Sequence, residues 1–482
     1  VGGAPVRMVA ERQQRRHVVV GHEPDVAAVA AVAAVRATHR NRPLTAEADA
    51  ARAAVTAPHV QLALVDELRH FPKANAVGRQ ASRIVVVMAE PPFADSAADR
   101  ADRWAATMTG HGSDDIVVAH ADSSVSVGDA IVRTREAREE AEERLLATNA
   151  TLARGAGSRA LDEEPDPYRT CFERDRDRIL HDSSFRRLAG KTQVFVFPDD
   201  HQRTRMTHAL EVAQVARSIA ESLSLNVPLV EAMALGHDCG HGPGGHASED
   251  ALSPYLDSGF DHAPWGADVT LAPLNLCAET LDGIRHHSWS LPAPLTPEGE
   301  VVSWADRIAY VCHDFEDAVA AGIVTADMLP SLVAERCGRD RSRQLGGFVR
   351  AVVAATTATG RIGMAPDIAE ALAAFRRFNY EHIYLRPASQ QQAAAVVSLL
   401  RALVEHYADR PHAIPAQTAR VALGEAADHV DAGSADALRA AVAYVAGMTD
   451  RFACQEGLAR LSWDPAKLPR GIGVSSFRGT SP

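Results

Sequence analysis

The chain has 482 residues, of which 46% are hydrophobic and 23% charged, and its formal net charge is −12. That length admits two or three domains, or one large helical body with extensions, while the acidic balance excludes a broadly basic nucleic-acid-binding surface as the default. The six cysteines (Cys171, Cys239, Cys277, Cys312, Cys337 and Cys454) show no CxxC spacing, which excludes a zinc ribbon or a disulfide framework and fits a reducing cytoplasm.

Residues 1–120 are rich in Ala, Val and Arg, with short strand-like pieces, "RIVVVMAE" and "DDIVVAH", between polar stretches. No periodicity persists there. Its longest apolar run, "VAAVAAVAAV" at 26–35, is too short and too alanine-rich to span a membrane, and no cleavage pattern follows it, so export is not expected. The expectation for this segment is a poorly ordered or wrongly annotated extension, with Met88 as an internal candidate start. Residues 121–167 then hold an exposed charged helix at 134–146, "TREAREEAEERLL", and a polar Gly/Pro linker.

From 168 onward apolar residues recur at three and four, with little strand-like alternation, so the body is expected to be all-α. In "THALEVAQVARSIAESL" the residues Leu210, Ala213, Ala216, Ala220 and Leu223 line one predicted face. "LVEAMALGHD" is apolar almost all round and predicts a buried helix. "EVVSWADRIAYVCHDFEDAVAAG" and "AAAVVSLLRALVEHY" predict two more helices. The core is expected at 168–330, with a helical region at 331–482 that completes the site and an oligomer interface.

Several polar residues stand out against this apolar pattern. His208 lies near the start of the first helix, His237 and Asp238 end the second where glycines stop it, and Asp306 sits in the third. Neighbouring helical residues point about 100° apart, so a His–Asp pair grips one ion only near a helix end. Two imidazoles and two carboxylates suit Mn²⁺, Fe²⁺, Zn²⁺ or, less comfortably, Mg²⁺. Asp306, Tyr310 and Asp314 fall at i, i+4 and i+8, a polar stripe expected to line a site, whereas Asp317 is expected to face solvent. Ahead of the first helix come Arg174, Arg176, Arg178, Arg186, Arg187, Lys191, Arg203 and Arg205; about half are expected to pair with nearby acids, and Arg205 is the best phosphate candidate.

The ordered set "RDRDRILHDSSFRRLAGKTQVF", "RTRMTHALEVAQVARSIA", "LGHDCGHGPGGHASEDAL" and "VVSWADRIAYVCHDFEDAV" resembles the HD superfamily of metal phosphohydrolases, and within it the deoxyguanosine triphosphate triphosphohydrolase-like branch. The resemblance implies an HD-domain helical bundle with added C-terminal helices. It implies His208, His237, Asp238 and Asp306 as ligands of one divalent ion, with a substrate-bound Mg²⁺ as a second cofactor. It implies His246 and Glu249 as the catalytic proton-handling pair, Gln193, Tyr310 and Asp314 as sugar-facing positions, and Arg205, His241 and Arg307 as triphosphate contacts. The implied reaction is hydrolysis of a dNTP to deoxynucleoside and inorganic triphosphate in the cytoplasm, by a homo-oligomer with weak affinity for single-stranded nucleic acid and none for membranes. Two alternatives stay open: an HD phosphohydrolase of nucleoside monophosphates or cyclic nucleotides, and a nucleotide- or single-strand-binding regulator. The chain departs from the family pattern at Gly244, where an aromatic residue is common, and at Ser248, where Gly is frequent. Both changes are expected to loosen the turn between His237 and His246.

Overall fold

The structure is a computed structural model that describes residues 97–108, 110–112 and 115–471. The expected extension falls for the most part on residues 1–96, which lie outside the described residues, as does "RIVVVMAE". The chain divides into two units, Val1–Ala130 and Ile131–Pro482. In the first, helix α1 (Ala97–Met108) precedes an antiparallel pair, β1 (His111–Gly112) and β2 (Val117–Val118), in which His111 faces Val118. The strand-like piece "DDIVVAH" is thus a strand at its centre. These two are the named strands among the described residues.

The second unit is helical. Its principal helices are α2 (Arg135–Leu145), α3 (Cys171–His181), α4 (Arg205–Ser222), α5 (Val227–Gly236), α6 (Ala247–Leu252), α7 (Ala278–Arg285) and α8 (Pro297–Ala320). They are followed by α9 (Arg341–Thr359), α10 (Pro366–Asn379), α11 (Pro387–Ala408), α12 (Ala416–Leu423), α13 (Ala435–Ala446) and α14 (Asp450–Leu461). Side-chain oxygens set the helix starts that matter for the site. Thr204 caps α4, Asn226 caps α5 and Thr296 caps α8, each accepting an orphan backbone N–H of the first turn. No helix among the described residues is long and apolar enough to cross a membrane.

Two apolar cores hold this unit together. The first packs α3, α4, α5 and α8 around residues such as Ile179, Val212, Leu229 and Ile308, all fully buried. The second joins Leu252 of α6 to Leu400 and Leu403 of α11 and to Val442 of α13. Helix α5 is buried nearly all round, as its composition predicts. Two sequence expectations fail here. Leu210 is 46% exposed, because the buried face of α4 runs through Ala209, Val212, Ala216 and Ile219, the side that also turns His208 inward. Asp317 is buried rather than solvated, because Arg203 reaches it from the segment before α4 and compensates its charge.

Candidate active site

The end of α5 delivers His237 and Asp238 to the middle of the first core, where α4 presents His208 and α8 presents Asp306. His208, His237 and Asp238 are each at most 3% exposed. His208 Nε2 lies 3.0 Å from Asp306 Oδ1, and His237 Nε2 lies 3.7 Å from the same oxygen and 3.5 Å from Asp238 Oδ2. Atoms about 2.1 Å from a shared ion stand on the order of 3.0–3.5 Å from one another, so His208, His237 and Asp306 are placed to share one cation, while Asp238, 4.0 Å from His208 Nε2, groups more closely with His237 and His287 and must shift to join them. His237 is oriented for that task. Its Nδ1 donates to the Ala234 carbonyl at 2.7 Å, which leaves Nε2 as a buried acceptor with no hydrogen-bond partner. Burial alone would raise the carboxyl groups, yet the Arg205 guanidinium and His237 hold Asp238 well below the usual range, and the His208 hydrogen bond does the same for Asp306. Both are therefore ionised and could serve as donors to a cation. Cys239, next in sequence, is no rival donor, since burial pushes its thiol up to about 12.

Beyond Asp238 the chain turns through four glycines, and the turn carries it from the first core to the second. Gly244 and Gly245 have φ of +74° and +63°, a region open to Gly at no cost. The expected looseness is not found. Ser248 accepts from Gly242 N–H at 3.0 Å and donates to the Gly245 carbonyl at 2.7 Å, so the residue that replaces a common glycine ties the turn to itself. Val396 of α11 takes the space beside Gly244, where an added Cβ would meet its Cγ1 at 2.5 Å.

His246 opens α6 with its ring turned into the cavity. The ring is open to the cavity, yet the surrounding protein strips it of water and the nearby Arg205 charge opposes protonation; together they push it down to about 4, so the imidazole is neutral at pH 7. The expected His246–Glu249 pair takes a different form. Glu249 accepts from His262 Nδ1 at 2.5 Å, whereas His246 meets Glu249 only through the backbone, its carbonyl accepting the Glu249 N–H at 3.0 Å, and its ring has no hydrogen bond among the described residues. The carboxylate, on the first turn of α6, meets the segment at 261–262 that packs across it, while the His246 ring stands edge-on to His262 and His241, at 5.9 and 5.0 Å between ring centres. Despite its burial, His262 is raised by Glu249, and Glu249 is held well below the carboxylate range in return. His262 also stacks on His241 at 3.7 Å between ring centres, and its Nε2 lies 3.2 Å from His287 Nε2.

A cavity of about 590 Å³ opens over these groups and brings together all the other expected site residues except His237, which lies just beneath its floor. Arg205, only 1% exposed, donates to Asp238 Oδ2 at 2.7 Å through Nη1, while its Nε and Nη2 have no partner. Of the remaining basic lead-in residues, Arg174, Arg176, Arg178 and Arg203 pair with carboxylates, leaving Arg205 as the one aimed into the site. His241 lines the floor, its Nε2 3.1 Å from Asp238 Oδ1. Gln193 lies in the wall with its Oε1 unpartnered. Arg307 stacks on Trp289 at 3.7 Å, and Tyr310 accepts from Arg376 Nε at 2.8 Å. Asp314 accepts the hydroxyl of Tyr384, and burial pushes its carboxyl up to about 7.

Sequence reasoning missed His262, His287, Trp289, Arg376, Tyr380 and Tyr384, all of which line the same cavity. The doublet in "RHHSW" and the close Arg/Tyr spacing in "RRFNYEHIY" were the available signals.

Comparison with known proteins agrees with this geometry. The HD domain family matches residues 205–311, and a phosphohydrolase-associated domain matches residues 362–457. A deoxyguanosinetriphosphate triphosphohydrolase-like protein of Caldanaerobacter subterraneus subsp. tengcongensis is 37% identical over 329 residues, covering 67% of this chain and 94% of the relative. A protein of the same description from Clostridium perfringens is 39% identical over 309 residues, covering 61% and 87%. One from Desulfatibacillum aliphaticivorans is 35% identical over 338 residues, covering 66% and 95%. With the His/Asp cluster at its centre, the chain belongs to the deoxyguanosinetriphosphate triphosphohydrolase-like family of HD-domain proteins.

Proposed function

We propose that this chain hydrolyses deoxynucleoside triphosphates, dGTP or several dNTPs, to the deoxynucleoside and inorganic triphosphate. The observation that carries the reading is Arg205. It is a buried guanidinium with two unpartnered nitrogens, set in the wall of the cavity beside the four-donor cluster. A buried cation left half-satisfied is costly unless an anion completes it, and a phosphate oxygen matches its fork. The cavity is large enough for a nucleotide.

A divalent ion held by His208, His237, Asp238 and Asp306, whether Mn²⁺, Fe²⁺, Zn²⁺ or Mg²⁺, supplies Lewis-acid polarisation of a phosphate oxygen and acidifies water. The protein's own groups do the rest. Arg205 and His241 hold the phosphate nearest the cluster, and Arg307, backed by Trp289, meets the outer phosphates, which bring a Mg²⁺ of their own. Gln193, Tyr310 and Asp314 bracket the sugar. Water adds to the α-phosphorus and sheds a proton to solvent, the bond to the 5′-oxygen breaks, and that oxygen needs a proton to leave. His246 is the donor. Its resting imidazole is neutral, and the incoming triphosphate offsets Arg205 and raises its proton affinity, so substrate binding charges the donor. Glu249 and His262 form the supporting pair that fixes the charge beside it.

The test is product analysis. The protein, incubated with each of the four dNTPs and with their mixture in Mg²⁺ or Mn²⁺, should release intact triphosphate and deoxynucleoside, separated by anion-exchange chromatography. Pyrophosphate or orthophosphate as the first product, or turnover of monophosphates alone, would overturn the reading.

A further inference from the structure

Lys191 and Asp450 lie buried beneath the turn from His241 to His246, on the side away from the ion-facing donors, at 3% and 6% exposure. Lys191 donates through Nζ to the His241 carbonyl and, at 3.0 Å, to the Ala446 carbonyl at the end of α13. Asp450, the first residue of α14, accepts from Gly244 N–H at 2.8 Å and from the Thr192 hydroxyl at 2.5 Å. The start and the middle of the turn are therefore tied to the junction of α13 and α14, more than two hundred residues away in sequence.

The packing closes the same clamp. A Cβ on Gly190 would meet Thr449 at 2.9 Å, so the segment before the cavity wall is pressed onto the start of α14. On the opposite side a Cβ on Gly240 would fall 2.0 Å from the His262 carbonyl. A turn with three glycines loses much conformational entropy on ordering. Hydrogen bonds to its backbone from fixed side chains are what hold such a turn in one shape. A buried carboxylate and a buried ammonium spent on backbone groups are expensive arrangements, and here both converge on the turn that sets the position of His246.

We infer that Asp450, supported by Lys191, is a positioning residue for the reaction: it fixes the backbone of the 241–246 turn and so sets where His246 meets the substrate. The inference rests on the reading of His246 as proton donor. Asp450 acts through Gly244 and touches no reacting atom. It needs acceptor oxygens at that place rather than charge.

Steady-state hydrolysis of dGTP by the full chain tests this through a double-mutant cycle. Asp450→Ala should lower kcat about 30- to 100-fold with KM changed less than about threefold and metal content unaltered. Asp450→Asn should recover kcat to within about threefold of the native enzyme, because its amide oxygen still accepts from Gly244 and its amide N–H can donate to Thr192. In a His246→Ala background, Asp450→Ala should cost nothing further. If Asp450→Ala does not fold, Thr192→Val, which removes one of the two bonds to Asp450, reads the same cycle with a loss of about 3- to 10-fold. Native kcat in Asp450→Ala, equal losses in both backgrounds, or an Asn variant as poor as Ala overturns the clamp. Full turnover by His246→Ala would instead sink the proton-donor reading, so the two failures are separable.

Discussion

The two sides of the cavity are built differently. On one side, His208, His237, Asp238 and Asp306 project from three long helices that pack against one another in the first core, and three of the four are almost fully buried. On the other side, His246, Glu249 and His262 stand on short elements, a two-turn helix and a single helical turn, joined to the first side by a glycine turn. The first side is held by packing; the second is packed too, by Val396 and His262, but its turn is fixed chiefly by hydrogen bonds, from Ser248 within α6 and from Lys191 and Asp450 outside it. An ion needs several donors fixed within tenths of an ångström, which a helix core supplies. A proton donor must meet a substrate that comes and goes, and a turn at the cavity mouth suits that.

The sharpest way to break the contrast is to strip each side in turn. Asp238→Ala removes the acceptor that His237, Arg205 and His241 all approach. It should release the ion and lower dNTP turnover by at least about 10³-fold; elemental analysis showing full metal occupancy would refute its assignment as a ligand. His246→Ala should leave metal content and nucleotide affinity intact while lowering kcat about 10²- to 10⁴-fold. If instead the metal is lost with His246, the two sides are one site and the contrast fails.

The same division explains what could be read in the sequence. His237 and Asp238 stood out because an apolar helix ending in a charged pair is chemically odd, and Asp306 because it opens a polar stripe on an apolar helix. The fold class followed from helical periodicity in α4, α5, α8 and α11. The other side carried no such contrast. Asp450 follows a capping Thr449 at a helix start, where an acid is commonplace, and nothing local reveals its bond to Gly244. His262 lies 13 positions beyond Glu249 in a short helix of irregular sequence, so the pair exists only in the folded chain. Leu210 misled because α4 is rich in small apolar residues on two faces, and only packing chooses between them. Asp317 misled because its partner, Arg203, sits 114 residues earlier.

Within the proton-handling side, Glu249→Gln separates charge from shape. The amide retains an oxygen for His262 Nδ1 but no longer holds that imidazole charged. The expected result is a loss of about 10- to 100-fold in kcat, a KM within about threefold and unchanged metal content. A loss confined to KM would place Glu249 in substrate binding instead.

The smallest effect concerns stability at the sugar-facing wall. The Asp314 carboxyl is pushed up to about 7 by burial, although the Tyr384 hydroxyl works against the shift. Between its ordinary range near pH 4 and pH 7 the folded chain keeps a proton that the unfolded chain gives up. Stability from this group is therefore present at low pH and falls as pH rises, and the penalty is complete above about 7. That is the reverse of a salt-bridged carboxylate such as Asp306. Asp314→Asn keeps an oxygen for Tyr384 and carries no charge at any pH. In chelator-treated protein it should gain about 2 kcal/mol over the native chain at pH 8 and much less at pH 4.5, read as a melting temperature several degrees higher at the alkaline end only. An equal gain at both pH values would assign the effect to packing rather than to the buried charge. A loss at pH 8 would mean that the ionised carboxylate is compensated in its place and belongs with the rigid, charge-paired side of the cavity.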